Sequence, residues 1–126
     1  MPLVRISLRK GKPASHLKAI RDGVYQAMRE SFNVPENDRF VLVHEHEETG
    51  FDYDPSYLDI ARTDDLVFVQ ITANNTRTVE QKQALYRSIA DHLARSPGLR
   101  REDVFINLVE VAKENWSFGN GVAQYA

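Results

Sequence analysis

Cysteine is absent from this chain of 126 residues, so disulfide bonds and thiol chemistry are excluded. An excess of either charge is lacking too, since 16 Lys and Arg residues stand against 18 Asp and Glu residues, a formal net charge of −2. Such a balance gives no global field that would attract nucleic acid. No apolar run approaches the length of a membrane span, and no charged leader precedes an apolar stretch. We therefore expect no nucleic-acid partner, no membrane partner and a cytoplasmic protein.

What is present is the composition of an ordinary globular protein. The hydrophobic fraction is 42% and the charged fraction 27%, both typical values. A chain of this length can bury a core as one unit. We expect a single domain over residues 1–126.

The sequence contains two similar halves, about residues 2–47 and 65–111, followed by a C-terminal tail, 112–126. The matching positions are Leu3-Val4 with Leu66-Val67, Ser15 with Thr78, Asp38 with Asp103, and Phe40 with Phe105. Each half has the pattern strand, helix, strand, which favours a parallel and right-handed crossover. The sequence thus predicts an α+β fold, a four-stranded sheet with two helices on one face. The other face also carries apolar residues, which indicates self-association.

Local patterns give approximate bounds for the elements. Alternating or apolar runs predict strands at residues 3–8, 39–46, 66–72 and 104–111, and helical spacing predicts helices at 16–32 and from Thr78 to just before Pro97. Ser15 is a candidate N-cap for the first helix, and Thr78 with Gln81 matches a capping box for the second. The strand at 39–46 has apolar residues on both faces, so we expect it to be mostly buried.

Pro2 follows the initiator methionine, and a small second residue of this kind generally permits removal of Met1. The nitrogen of Pro2 would then be a secondary amine. A free α-amine titrates at about pH 8, and burial lowers that pKa because it disfavours the charged form. Pro2 is thus a candidate general acid or base near neutral pH. The alternative is that Pro2 only begins the strand, where it need not donate to the ladder.

Four other side chains are candidates for a site. Arg77 stands just before a capped helix, and its planar guanidinium suits a carboxylate; the alternative is a solvated turn residue. Asp38 is a candidate partner of Pro2, or else a turn residue that bonds its own backbone. Trp116 and Phe118 have period-2 spacing, so both face one side of an extended segment. They are either pocket walls or aromatics of a core or subunit contact.

Two further groups of residues carry side chains that could bind a metal or line a pocket. His44 and His46 share one strand face, but two ligands do not complete a zinc site, and we expect neither a metal nor a cofactor. The loop at 48–64 holds Phe51, Tyr53 and Tyr57. These rings either cover a pocket or pack between subunits.

Several of these motifs together resemble the tautomerase superfamily, and within it the malonate semialdehyde decarboxylase-like branch. They are the opening Pro-Leu-Val-Arg-Ile, the paired β-α-β units, the turn Asn-Asn-Thr-Arg-Thr and the ending Asn-Trp-Ser-Phe-Gly-Asn-Gly-Val-Ala-Gln-Tyr. The resemblance covers nearly the whole chain. It implies a homotrimer and a cofactor-independent enzyme acting on small carboxylated keto or enol substrates, with Pro2 at the base of a pocket near a subunit boundary.

The resemblance also implies roles for single residues. Pro2 matches the catalytic proline, Asp38 an aspartate near the proline amine, and Arg77 an arginine that binds the substrate carboxylate. Trp116 and Phe118 match pocket-wall aromatics. Some members have a second arginine where Asn75 stands here, which leaves the preferred substrate open.

The charge state of Pro2 decides which reaction an enzyme of this kind would catalyse. A neutral amine would transfer a proton in a keto–enol tautomerisation. A cationic amine would promote decarboxylation or hydration, as in a malonate semialdehyde-type decarboxylase. The remaining alternative is a non-catalytic oligomeric binding protein.

Overall fold

The computed structural model describes residues 2–126, and the expectation that Met1 is removed concerns a residue outside that range. Its regular elements, in chain order, are β1 (Leu3–Arg9), α1 (Ala14–Phe32), β2 (Val41–His46), β3 (Val67–Asn74), α2 (Val79–Arg95) and β4 (Val104–Val111). The four strands form one sheet in the order β2-β1-β3-β4. Pairs β1–β2 and β3–β4 are parallel, and the central pair β1–β3 is antiparallel. The predicted tandem β-α-β fold is confirmed.

The core lies between one face of the sheet and the two helices. Alternate residues of β1 and β3, among them Val4, Ile6, Val69 and Ile71, are at most 2% exposed. Helices α1 and α2 cover this face and pack on each other at Gly23, where a Cβ atom would lie 2.9 Å from Leu93 Cδ2. Residues of one strand face and two helix stripes thus form one continuous core.

The start of each helix is fixed differently. Helix α2 begins with the predicted capping box, in which the Thr78 hydroxyl accepts from the Gln81 N–H and the Gln81 side chain accepts from the Thr78 N–H. Helix α1 begins at Ala14, and its N-cap is Pro13 rather than Ser15. Pro13 has φ −68° and ψ 159°, an extended conformation that suits an N-cap and that the proline ring favours. The Ser15 prediction was wrong for this reason.

Two strand predictions also need correction. Strand β2 lies at the edge of the sheet. Its Leu42 and His44 are exposed because their face of the sheet has no helix over it, whereas Val41 and Val43 pack against the core; the strand is not mostly buried within the chain. Strand β3 continues past Thr72 because its last residue, Asn74, still pairs with Val111 in β4.

The two halves are related by one constant spacing. In β1–β2 Val4 pairs with Val41, and Val67 and Val104, which form the equivalent pair in β3–β4, each lie 63 positions further on. The Asp-x-Phe motifs at Asp38 and Asp103 are 65 positions apart. They are therefore not equivalent in the sheet, and their alignment in the sequence is two residues out of register.

The second face of the sheet has no helix over it. Apolar side chains on and beside it remain exposed in the chain: Phe40 (52%), Leu42 (46%), Phe105 (44%) and Val109 (37%). Arg5 and His44 lie among them and form a hydrogen bond of 3.2 Å between NH1 and Nε2. Across residues 2–126, neither helix has the length and apolar content that crossing a membrane requires.

Candidate active site

A cavity of about 210 Å³ opens where β1 begins. Its lining residues are Pro2, Leu3, Phe40, Trp116, Ser117 and Phe118. Pro2 is buried, and the polar side-chain groups among these six residues are the Ser117 hydroxyl and the Trp116 indole N–H. The structure thus brings together three of the predicted site residues, Pro2, Trp116 and Phe118, although their roles remain predictions.

The central position of β1 puts Pro2 in this cavity. Leu3 pairs with Thr72 on one side, and the Val4 N–H donates to the Phe40 carbonyl on the other, at 3.0 Å. The residue before Leu3 therefore lies at the end of a strand that has neighbours on both sides. A proline fits there because the first residue of a strand need not donate a backbone N–H to the ladder.

The tail provides the aromatic wall. The rings of Trp116 and Phe118 are stacked, with centroids 5.4 Å apart and planes 19° apart, and Tyr125 meets Phe118 edge-on at 4.9 Å. The side chain of Gln124 accepts from the Phe118 N–H and donates to the Gly119 carbonyl. The tail is thus a folded unit that presents stacked rings to Pro2.

Asn74 joins this wall to the sheet. The Trp116 indole N–H donates to Asn74 Oδ1 over 2.7 Å, and Asn74 is 7% exposed. Sequence analysis missed both Asn74 and Gln124. The only local indication was an amide at the end of a strand, and amides at strand ends are common in turns.

Asp38 is a buried carboxyl group, 9% exposed. Burial raises its pKa, and the positive charge of Arg77 opposes that rise. The same two effects act on the guanidinium, because burial lowers the pKa of Arg77 and Asp38 opposes the decrease. The structure therefore places Asp38 and Arg77 within electrostatic range of each other. Neither residue lines the cavity at Pro2.

Arg77 is fixed in place and is not a solvated turn residue. Its Nη2 atom donates to the Phe32 carbonyl over 3.0 Å, and its guanidinium carbon lies 4.7 Å from the centroid of the Phe32 ring. Asn75, two positions earlier, is exposed, and its N–H donates to the Val111 carbonyl. The turn before α2 thus presents one ordered arginine, with Asn75 beside it.

The remaining candidates lie elsewhere. His44 and His46 border a second cavity, of about 290 Å³, on the open face of the sheet. Within the described range of the chain, no three His, Cys, Asp or Glu side chains are grouped so that they could hold a metal ion. Phe51 is buried against Phe68, with ring centroids 5.4 Å apart. The loop therefore covers part of the sheet and not the Pro2 cavity.

Comparison with protein families gives two matches, both to families described as Tautomerase enzyme, over residues 38–119 and 2–57. The probable tautomerase YusQ of Bacillus subtilis (strain 168) is 47% identical over 124 residues, which cover 98% of both chains. A second probable tautomerase of that strain, YrdN, is 37% identical over 99% of this chain and 96% of its own length.

Solved structures show the same similarity. Malonate semialdehyde decarboxylase, studied in wild-type, mutant and inactivated forms, matches with a TM-score of 0.91 and 30% identity over 98% of this chain and 95% of that one. The FG41 malonate semialdehyde decarboxylase inhibited by 3-bromopropiolate also gives 0.91, with 33% identity over 98% and 93% of the two chains. A fused 4-OT in a symmetric trimer matches at 0.80 with 19% identity, a likeness of fold alone.

Proposed function

We propose that this chain, which belongs to the tautomerase superfamily and resembles its malonate semialdehyde decarboxylase-like branch, is a cofactor-independent keto–enol tautomerase that uses Pro2. Membership of the superfamily supports an enzyme of the isomerase or decarboxylase and hydratase kind. The observation that carries the finer proposal is the buried Pro2 in a cavity with aromatic walls.

The proposed reaction is a proton transfer within one substrate. With Met1 removed, the Pro2 nitrogen has a lone pair that accepts the proton of an enol hydroxyl. The same proton is then delivered to the neighbouring carbon, so that the enol becomes a ketone and no atom is gained or lost. Trp116 and Phe118 support a neutral amine because apolar surroundings disfavour the ammonium form.

Arg77 is the proposed anchor for the substrate carboxylate. A guanidinium has five N–H donors, and its bond to Phe32 requires only one of them. The contact with the Phe32 ring and the bond to the Phe32 carbonyl hold the guanidinium in place before substrate arrives, which reduces the entropy lost on binding. Because Arg77 does not line the cavity, the substrate must extend beyond it, with the reacting carbon inside and the carboxylate outside.

A second activity, decarboxylation of a 3-oxo acid, is favoured by the TM-scores of 0.91 with malonate semialdehyde decarboxylases. Here a cationic Pro2 would polarise the carbonyl β to the carboxylate. The electrons of the breaking carbon–carbon bond would form an enol as CO₂ leaves, and the enol carbon would then take up a proton. Asp38 is the proposed group that favours the cation.

We also propose that the protein assembles as a homotrimer through the open face of the sheet. The exposed apolar side chains of Leu42 and Phe105 on this face support the assembly, since such patches mark contact surfaces. The fused 4-OT, which has a similar fold, forms a symmetric trimer, and this supports the proposal.

Turnover by protein without an N-terminal tag tests the proposal. Wild-type protein should convert an enol acid to its keto acid, and Pro2→Ala should reduce kcat/KM by at least about a hundredfold. The matched control is Pro55→Ala, an exposed loop proline, which should leave turnover within about twofold. Mass spectrometry establishes whether Met1 is removed. Retained Met1 and absent turnover would instead favour the non-catalytic binding protein.

A further inference from the structure

The contact between Trp116 and Asn74 joins parts of the chain that are 42 positions apart. Asn74 is the last residue of β3, held in the ladder opposite Val111. Trp116 belongs to the tail, beyond the last strand. The 2.7 Å hydrogen bond between the indole N–H and Asn74 Oδ1 therefore fastens an irregular segment to a rigid element.

Each group in this contact needs the other. Asn74 is buried and Trp116 is half-buried, and an amide oxygen or indole N–H removed from water is costly without a partner. Other side-chain hydrogen bonds of the tail, as far as residues 2–126 show, join tail residues to one another: Gln124 to Phe118 and to Gly119. The tail is thus ordered internally by Gln124 and attached to the sheet by Asn74.

The position of Asn74 relative to the two parts of the site is equally specific. It ends β3 three residues before Arg77, which lies on the connection from β3 to α2. One short segment therefore positions both the proposed carboxylate anchor and the aromatic wall of the Pro2 cavity. A shift of the Trp116 indole would change the room beside Pro2 without moving Arg77.

We propose that Asn74 is a positioning residue, which fixes the Trp116 indole as a wall of the Pro2 cavity and so sets the affinity for substrate. The predicted effect on substrate affinity rests on the proposed function, whereas the predicted effect on the Trp116 indole does not. With the acceptor removed, the indole N–H loses its partner and the stack of Trp116 on Phe118 loses its attachment to β3.

The indole itself reports on this contact, since Trp116 is the single tryptophan of the chain. The probe is the indole ¹H–¹⁵N signal of ¹⁵N-labelled protein, followed by its chemical shift and its hydrogen exchange. Asn74→Leu has a similar size but no acceptor, and Asn74→Asp retains one. Gln83→Leu makes the same kind of change on an exposed position of α2.

We expect indole exchange to accelerate at least about tenfold in Asn74→Leu, which corresponds to about 1.4 kcal/mol. Asn74→Asp and Gln83→Leu should remain near the wild-type rate. If Asn74→Leu does not fold, Asn74→Ser provides a shorter side chain that does not reach the indole. Unchanged indole exchange in a folded acceptor-free variant overturns the proposal.

Kinetics then test the consequence for substrate. Asn74→Leu should raise KM about five- to tenfold and leave kcat within about twofold. Trp116→Phe keeps a ring but loses the donor, so adding it to Asn74→Leu should raise KM little further. A faster indole exchange with unchanged KM would overturn the role in affinity. Absent turnover in the wild type would overturn the proposed function, while the indole signal would still decide the role of Asn74.

Discussion

Thr63 donates two hydrogen bonds to the carboxylate of Asp103, one from its backbone N–H and one from its hydroxyl, and each is 2.7 Å long. Asp103 is 1% exposed, and an Arg100 nitrogen lies 3.6 Å from its carboxylate. The contact ties the segment before β3 to the start of β4. Asp38 is the other buried aspartate of the two Asp-x-Phe motifs, and in its case burial raises the pKa.

Asp103→Asn should destabilise the fold. The amide group of asparagine replaces one acceptor by a donor, so one of the two Thr63 donors loses its partner. We expect the free energy of unfolding to fall by about 2 kcal/mol, measured by urea denaturation. A loss no greater than that of an exposed aspartate, as in Asp91→Asn, would contradict a structural role for this carboxylate.

Asp38→Asn, in contrast, should not destabilise the fold at neutral pH. A raised folded-state pKa means that the native protein binds the proton more tightly than the unfolded chain. The contribution of Asp38 is therefore fully present below the ordinary pKa of 3.8 and is lost as the pH rises through the raised value. The neutral asparagine avoids this loss, so the variant should be about as stable as the wild type, or up to about 1 kcal/mol more stable, at neutral pH.

The measurement for Asp38→Asn is the melting temperature between about pH 3 and pH 8, compared with wild type. The gain of the variant over wild type should grow as the pH rises. A gain that shrinks with rising pH would show that the ionised carboxylate stabilises the fold. The proposed action of Asp38 on Pro2 predicts, in addition, that the turnover of Asp38→Asn is lower than that of the wild type.

The helix starts give a matched pair of variants. Thr78→Ala removes the hydroxyl that caps α2, and we expect a loss of about 1 kcal/mol. Ser15→Ala should change stability by less than about 0.5 kcal/mol, because Pro13 is the N-cap of α1 and Ser15 is exposed. Thermal denaturation of both variants tests the assignment, and an equal loss in the two would show that Ser15 also caps its helix.

Arg77→Gln tests the proposed anchor. Because glutamine carries no charge to pair with a carboxylate, this change should raise KM for a carboxylated substrate at least about tenfold. Arg87→Gln, on the exposed side of α2, is the control and should leave KM unchanged. An equal KM in the two variants would show that Arg77 does not bind the substrate and that its role is the structural contact with Phe32.

Local sequence patterns predicted most of the fold. The bounds of β4 and the capping box at Thr78 were correct because both depend on residues within one turn or one strand. The exposure of β2 was missed because apolar residues on both of its faces suggest burial on both, whereas the helices of the chain cover only one face of the sheet. The false N-cap at Ser15 arose because serine matches the residue preference of a cap, whereas Pro13 has the cap geometry and Ser15 is already the second residue of α1.

The candidate site was predicted only in its parts. Pro2, Trp116 and Phe118 do share a cavity. The contacts that hold the site together join residues far apart in sequence: Trp116 with Asn74, 42 positions apart, and Arg77 with Phe32, 45 positions apart. Periodicity contains no information about such pairs, because only the folded chain brings them together.

Titration of the Pro2 nitrogen tests the central proposal most directly. The protein is made without an N-terminal tag and with ¹⁵N-labelled proline, and the signal of Pro2 is followed by NMR as the pH changes. The account predicts a pKa below the value of about 8 for a free α-amine, near or under neutral pH. A pKa well above neutral, or no titration with Met1 still attached, would contradict Pro2 as a general base.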